Sequence, residues 1–348
     1  MRGMMFLGNR KVELRDFADP VPGPGEVVIA MRASGMCGSD LKPYRHVAGD
    51  TSTRGVPMPT EPTIGGHEPC GVIEELGAGV VGKGLRKGAR VMVHHYAGCG
   101  TCPHCRGGWA QLCADVPPTV YGMTGHGGHA PHMKVPAFTL VHLPDALAFS
   151  TGAAISCGTG TAHAALVRIG CSGNATIAIF GQGPVGLSAT QLATAMGARV
   201  IALDISAARL ARAKAFGAWA TIDPSRDEPV GAIRDLTHGG ATLSLETSAA
   251  ASARRAAVQC VRTWGTACYV GEGGEVTLEV SPDLLRRQVS LVASWTFSSG
   301  GQANCARYVE ERGIDVEALF THRWKLEQAE EAYRLFDRQA DGKGVFLF

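Results

Sequence analysis

From residue 175 onward, six short apolar runs alternate with stretches of helical periodicity. This alternation narrows the possible folds more than any other feature of the chain. The strand-like runs fall at residues 175–180, 199–204, 218–222, 242–245, 266–270 and 289–293. Between them lie helical patterns at 185–196, 206–216, 230–236, 250–261 and 282–287, with Ser206 placed as an N-cap. Strands that alternate with helices pair in parallel, because each crossover returns the chain to the same end of the sheet, so an α/β domain with a doubly wound parallel sheet is predicted. The first turn of that domain reads Gly181-Gln-Gly183-Pro184-Val185-Gly186, and Asp204 ends the next strand 18 residues beyond Gly186. A glycine triplet alone is weak in a chain with 46 glycines. Between a strand and a helix it lets backbone N–H groups and the helix dipole meet a pyrophosphate. A carboxylate at position 204 suits a ribose diol and repels a 2′-phosphate, which favours NAD over NADP. A bare strand–helix turn with Asp204 as a helix cap is the plainer alternative.

The rest of the chain reads differently. Residues 65–128 are rich in glycine, and the apolar runs 26–33, 71–76 and 89–94 are bounded by Gly or Pro, so the first part is expected to be β-rich. Prolines at 57, 59 and 62 exclude helix from 56–62 and predict a loop there. After residue 293 come helical patterns at 303–312 and 326–338 and a terminal strand at 344–348. The expected domains are therefore 1–155 with 293–348, carrying a lobe at 98–114, and an inserted 156–292.

Composition limits the function. Of 348 residues 45% are apolar, enough for the cores of about two domains. With 33 basic against 31 acidic side chains the net charge is +2, which argues against nucleic acid as the main partner. The longest apolar run near the N-terminus, residues 4–7, is too short for a signal peptide or a membrane span, and the chain reads as soluble and cytoplasmic.

Eleven cysteines, an odd number, do not suit a disulfide framework. Cys99, Cys102, Cys105 and Cys113 crowd into fifteen residues. Two successive Cys-x-x-Cys steps wrap the backbone round one ion and a fourth thiolate closes the tetrahedron, which is the donor set of a structural zinc. An iron–sulfur cluster suits related spacings but would need a redox partner that nothing else suggests. A nucleic-acid zinc ribbon conflicts with the balanced charge. Cys70, Cys171, Cys260, Cys268 and Cys305 have no informative spacing and read as small core residues.

Cys37, His67 and Cys157, taken singly, read as a buried thiol, a core histidine and a turn cysteine. The run Gly66-His67-Glu68, Gly71, Gly77 and Val80 resembles the zinc signature of the medium-chain alcohol dehydrogenases at every position, and the four-cysteine lobe and dinucleotide motif follow in that family's order. The resemblance spans essentially the whole chain. It implies a GroES-like catalytic domain holding two zinc ions and an inserted Rossmann domain. Cys37, His67 and Cys157 are then the catalytic-zinc ligands, with an open position for water or substrate. Glu68 would stand beside the ion, Asp40 would hold the far nitrogen of His67, and Ser39 would take the substrate proton. Thr161, Arg209 and Val270 would join Gly181, Gly183, Pro184, Val185, Gly186 and Asp204 around the cofactor. Cysteine at 157 resembles the alcohol dehydrogenase branch, whereas polyol dehydrogenases more often carry a carboxylate there.

The expected activity is reversible NAD-dependent oxidation of an alcohol to an aldehyde or ketone. Oxidation of threonine or a sugar alcohol stands as its neighbour. A non-catalytic zinc and dinucleotide binder is the alternative of another class, and reduction or elimination at an activated double bond is a third. Lys42 stands where many relatives have a proton-relaying histidine; a solvated loop is expected for it and for His46. His95 and Tyr96, with Trp295 and Phe297, are candidates for the substrate wall, and His95 hints at a polar or polyhydroxylated substrate. The edge at 289–293 is expected to serve a homodimer or homotetramer.

Overall fold

The computed structural model describes residues 1–47, 61–82, 84–338 and 342–348. Within the expected proline loop, residues 56–60 lie outside the described residues. The chain divides into two compact units, Met1–Gly160 with Phe297–Phe348, and Thr161–Thr296.

The second unit is built on a parallel six-stranded sheet. Its spatial order is Ala220–Ile222, Arg199–Leu203, Thr176–Phe180, Ala241–Glu246, Val261–Tyr269, Ser290–Ala293. The order reverses at Thr176–Phe180, which is where a doubly wound sheet opens to ligand. Ala178, Phe180, Ile201, Leu203, Ile222 and Ile233 form the core between sheet and helices. Each fully buried aliphatic or aromatic side chain of this kind contributes about 1.5–3 kcal/mol. Helices at Pro184–Ala195 and Ala207–Ala215 follow the first two strands, and the Ser206 hydroxyl caps the second by accepting from Arg209 N–H at 3.4 Å. One expected helix is corrected. Residues 282–287 carry no regular α-helix, because the chain makes a single wide turn at Val280–Leu284 and a tight one at Leu285–Arg287. Pro282 removes a backbone donor inside that stretch.

The first unit is a β-fold around a seven-stranded sheet. Its order is Phe320–Trp324, Lys343–Leu347, Glu26–Gly35, Glu68–Leu76, Arg90–Val93, Leu140–His142, with His132–Pro136 also paired to Glu26–Gly35. The hairpin Arg2–Gly8 with Lys11–Asp16 and the strands His132–Pro136 and Phe320–Trp324 were not expected from sequence, although Val12 and Leu14, and Met133 and Val135, alternate with polar residues in two of them. Two clusters fill the unit. One contains Val27, Ile29, Met31, Ile73, Val91 and Val135. The other packs Met4, Met36, Leu41, Tyr44, Tyr333 and Phe346 under the C-terminal helix Ala329–Asp337. Among the described residues no helix is long and apolar enough to cross a membrane.

Of the scattered cysteines, Cys70, Cys260, Cys268 and Cys305 are buried as expected. Cys171 is not, because it follows the turn at Gly170 that ends the helix Gly158–Arg168 and is half-exposed there.

Candidate metal centres and dinucleotide site

The strand Glu26–Gly35 delivers Cys37 just past its end, and the antiparallel neighbour Glu68–Leu76 begins directly after His67. Cys157 lies at the close of the helix Phe149–Ile155. These three segments bring Cys37, His67, Glu68 and Cys157 together, with one donor atom of each within 4.8 Å of the others. Sulfurs bound tetrahedrally at about 2.3 Å from one ion stand about 3.8 Å apart. Cys37 Sγ and Cys157 Sγ are separated by 3.8 Å. The contact with Cys157, and after it the nearby His67 ring, pull the Cys37 thiol well below its ordinary range, and the same contact with Cys37 together with burial holds the Cys157 thiol above its own.

His67 is placed by Asp40. Its Nδ1 lies 2.7 Å from Asp40 Oδ1, and the other carboxylate oxygen accepts from Cys37 N–H at 2.8 Å. Burial opposes a charge on the ring, but the Asp40 carboxylate outweighs it and raises His67 well above its usual value. With Nδ1 engaged, Nε2 is the nitrogen left to bind a metal. Ser39 Oγ stands 3.0 Å from that atom.

Lys343 is the residue that sequence reasoning missed. It lies on the terminal strand, is 2% exposed, and sets Nζ 2.5 Å from Glu68 Oε2 and 3.0 Å from Met36 carbonyl oxygen. Burial pushes the Glu68 carboxyl up to about 8 against the pull of this ammonium. Burial opposes the charge on Lys343 too, yet Glu68 outweighs it and holds the lysine above its ordinary value. The short contact favours the ion-pair form. Neither Glu68 oxygen has an aligned hydrogen-bond donor, so a buried carboxylate with spare lone pairs stands beside two sulfurs and an imidazole. That donor set fits a divalent cation. Gly35 makes room for it, since a Cβ there would lie 1.9 Å from Glu68 Oε2.

The second set, Cys99, Cys102, Cys105 and Cys113, is equally compact. Its Sγ separations are 4.0 Å for Cys99 to Cys105 and 3.9 Å for Cys102 to Cys113. Backbone N–H groups point at the sulfurs, among them Cys102 N–H to Cys99 Sγ at 3.2 Å and Cys105 N–H to Cys102 Sγ at 3.4 Å. The N–H of Cys99 leads the backbone donors that hold the Cys113 thiol down at about 6. Four sulfurs with no water position suit a closed, structural zinc.

In the second unit the glycines meet their spatial demands. Gly181 has φ +87°, and a Cβ on Gly186 would lie 1.8 Å from Gly181 carbonyl oxygen, so strand and helix close only if 186 is glycine. Before Gly183, the N-cap of the helix Pro184–Ala195, space is open, as an approaching pyrophosphate requires. Asp204 is buried, accepts from Gln182 N–H at 2.6 Å and Ser206 N–H at 2.9 Å, and lies 3.7 Å from Arg209 Nη1. Val270 follows the strand Val261–Tyr269 and donates its N–H to Glu246 carbonyl oxygen. Thr161 is buried on the helix Gly158–Arg168.

The substrate-wall candidates separate. His95 is buried, its ring 5.1 Å from that of His67 and 4.3 Å from that of Tyr96. Its Nδ1 faces Ser156 carbonyl oxygen at 2.9 Å. A carbonyl only accepts, so Nδ1 carries the proton and Nε2 keeps a lone pair. His94 is tied by Nε2 to Phe297 carbonyl oxygen at 3.1 Å and is structural. Phe297 is buried in the first unit, whereas Trp295 belongs to the second and is 46% exposed. Lys42 and His46 are half-buried on and just after the short helix Leu41–Arg45.

A β-fold with an open thiolate–imidazole set and a closed four-thiolate set, joined to a doubly wound dinucleotide fold, defines a metal-assisted nicotinamide oxidoreductase. Comparison with known proteins agrees. The family model for the alcohol dehydrogenase GroES-like domain matches residues 23–145, and that for zinc-binding dehydrogenases matches 184–311. An uncharacterised zinc-type alcohol dehydrogenase-like protein of Escherichia coli K12 is 39% identical over 98% of this chain and 97% of its own. An alcohol dehydrogenase of Geobacillus stearothermophilus is 33% identical over 75% of this chain and 74% of its own. A protein of Escherichia coli CFT073 described as a short chain alcohol dehydrogenase, solved in complex with NADH, superposes with a TM-score of 0.87 at 25% identity, covering 100% of this chain and 99% of that one. The chain belongs to the zinc-dependent medium-chain alcohol dehydrogenase family, and its cofactors are zinc and a nicotinamide dinucleotide.

Proposed function

We propose that the protein oxidises an alcohol to an aldehyde or ketone with NAD, reversibly, and carries one zinc in each of the two ligand sets. The observation that carries this reading is the grouping of donor atoms of Cys37, His67, Glu68 and Cys157 within 4.8 Å of one another, with the two sulfurs 3.8 Å apart. When bound there, zinc supplies a Lewis acid for the substrate oxygen, and the nicotinamide receives the hydride from carbon. Cys37, His67 and Cys157 hold the ion, and Asp40 fixes the imidazole. Ser39, next to His67 Nε2, takes the hydroxyl proton and passes it on to solvent. Glu68, tethered by Lys343, stands by as a carboxylate beside the ligands. Incubation of zinc-loaded protein with NAD and a panel of primary, secondary and polyhydric alcohols and 3-hydroxy amino acids is expected to give cofactor reduction with at least one class. A panel with no turnover at all would refute the reading, and product without a carbonyl would replace it with double-bond chemistry.

Preference for NAD is supported by Asp204, whose carboxylate would accept from a ribose diol. Asp204→Ser should lower the ratio of kcat/KM for NAD over NADP by at least about tenfold, because repulsion of a 2′-phosphate disappears while Arg209 stays at hand to pair with it. An unchanged ratio in steady-state kinetics would show that Asp204 does not face the ribose.

Oxidation of a sugar alcohol is the second reading, favoured by the His95 lone pair close to His67, which can accept from a second substrate hydroxyl. The free thiols support a reducing, cytoplasmic setting. The exposed edge strand Ser290–Ala293 supports a homodimer or homotetramer, with a small-molecule alcohol, and neither nucleic acid nor membrane, as partner.

A further inference from the structure

At the carboxyl ends of the strands in the second unit lies a buried pair of opposite charges, Glu246 and Arg254. Glu246 ends the strand Ala241–Glu246 and is 0% exposed, and Arg254, on the helix Ala251–Gln259, is 8% exposed. Glu246 Oε2 and Arg254 Nε stand 3.6 Å apart. The other carboxylate oxygen accepts from Ser248 N–H at 2.5 Å, Ser248 Oγ–H at 2.6 Å and Ala249 N–H at 2.8 Å. These bonds hold Ala249 at φ +64°, a left-handed conformation that a residue with a Cβ keeps only where its surroundings enforce it. Glu246 carbonyl oxygen accepts from Val270 N–H at 2.9 Å and Gly271 N–H at 3.0 Å, and Arg254 Nη2 donates to Gly271 carbonyl oxygen at 2.6 Å. One ion pair thus braces two turns, 247–249 and 270–271. A Cβ on Gly271 would lie 2.5 Å from Ala249 N and 2.9 Å from Glu246 Oε2, so the turns close over the pair only if 271 is glycine.

The parallel register says where these turns stand. Leu203, Phe180, Glu246 and Tyr269 form one row across four adjacent strands. The next residues are Asp204, Gly181, Thr247 and Val270, so Asp204 stands on one side of the glycine turn and the two braced turns on the other. Thr247 touches the glycine turn, donating its N–H to Phe180 carbonyl oxygen at 2.9 Å and its hydroxyl to Gly181 carbonyl oxygen at 3.0 Å. A dinucleotide with its pyrophosphate on Gly181–Gly186 and its adenosine ribose at Asp204 sends its other half over 247–249 and 270–271. Thr247, Ala249, Val270 and Gly271 are half-buried, open to a ligand while the pair beneath them is closed to water.

We propose that Glu246 and Arg254 are positioning residues for the nicotinamide half of the cofactor: they fix the two turns on which that half rests and touch no part of the ligand themselves. This deepens the reading of the second unit as an NAD site and rests on Asp204 facing the adenosine ribose. Fragment binding separates the halves, since adenosine 5′-monophosphate reaches only the Asp204 side and NADH spans both.

The experiment titrates zinc-loaded, full-length protein with NADH, followed by nicotinamide fluorescence, and with adenosine 5′-monophosphate, followed by calorimetry. In Glu246→Gln the amide has one acceptor oxygen and turns its NH2 group either to Arg254 or to the Ser248 and Ala249 donors, so one brace is lost. NADH is expected to bind about tenfold more weakly, the effect of losing one charge-assisted hydrogen bond that pre-organises the site. Binding of the monophosphate should not change. Arg254→Lys keeps a charge beside Glu246, but a single ammonium cannot span both the carboxylate and Gly271 carbonyl oxygen. It should weaken NADH in the same direction by less, and it tests the idea even if the first variant folds poorly. Unchanged NADH binding in both variants would overturn the proposal. So would weakening of NADH and the monophosphate by the same factor, since that marks general loosening. Wild-type protein that binds NADH no more tightly than the monophosphate would also overturn it. Monophosphate binding unaffected by Asp204→Ser would instead overturn the ribose reading beneath it.

Discussion

Cys157→Ala is expected to leave the chain with one zinc fewer and to reduce kcat/KM for its alcohol by at least about a thousandfold. Lewis-acid stabilisation of developing charge contributes several kcal/mol, and every 1.36 kcal/mol is about tenfold in rate. Removing Cys157 also removes the contact that does most to pull the Cys37 thiol down. The remaining donors would be one thiol, one imidazole and a carboxylate already paired to Lys343. Melting should change little, because the four-cysteine set that ties residues 99–113 together is untouched. Elemental analysis and steady-state kinetics on the same preparation check both halves. Full zinc content with full activity would show that position 157 is not a ligand.

Lys343→Met should destabilise the protein by about 3–5 kcal/mol, the usual cost of stripping one partner from a buried ion pair. No discount for solvent screening applies, because the two side chains are 2% and 0% exposed. The Glu68 carboxylate would be left in a low-dielectric pocket with no aligned donor for either oxygen, and Met36 carbonyl oxygen would lose its ammonium partner. Adding Glu68→Gln should recover most of the loss, since a neutral amide needs no counter-charge. Urea unfolding of the zinc-loaded single and double variants measures the difference. A single-variant loss below about 1 kcal/mol, or no recovery in the double variant, would mean that Glu68 is already neutral in the native state.

Parts of this molecule could be read directly because their chemistry is local. Cys99 to Cys113 span fifteen residues, and the backbone between them has few ways to place four sulfurs other than round one ion. The Gly181–Gly186 turn is likewise contained in a strand, a turn and a helix, and the steric demand on Gly186 comes from a carbonyl five residues away. Alternating runs announced the parallel sheet for the same reason: each βαβ unit is decided largely within its own stretch of chain. Cys37, His67 and Cys157 were legible only through resemblance. They stand on three segments up to 120 residues apart, with no spacing rule to link them.

Lys343 left no sequence signal. A lysine opening a terminal strand is an ordinary residue in that place. It acquires its role from a register that sets the terminal strand beside Glu26–Gly35, which also pairs with the strand that begins at Glu68.

The sequence by itself determined the fold class, the closed four-thiolate lobe and the dinucleotide turn, all of them consequences of short-range geometry. Only the tertiary structure decided which charge lies against Glu68 and which nitrogen of His95 keeps its lone pair. Those outcomes depend on burial and on partners brought from remote parts of the chain, and the free energy of a buried charge or hydrogen bond is set by its surroundings and not by its neighbours in sequence.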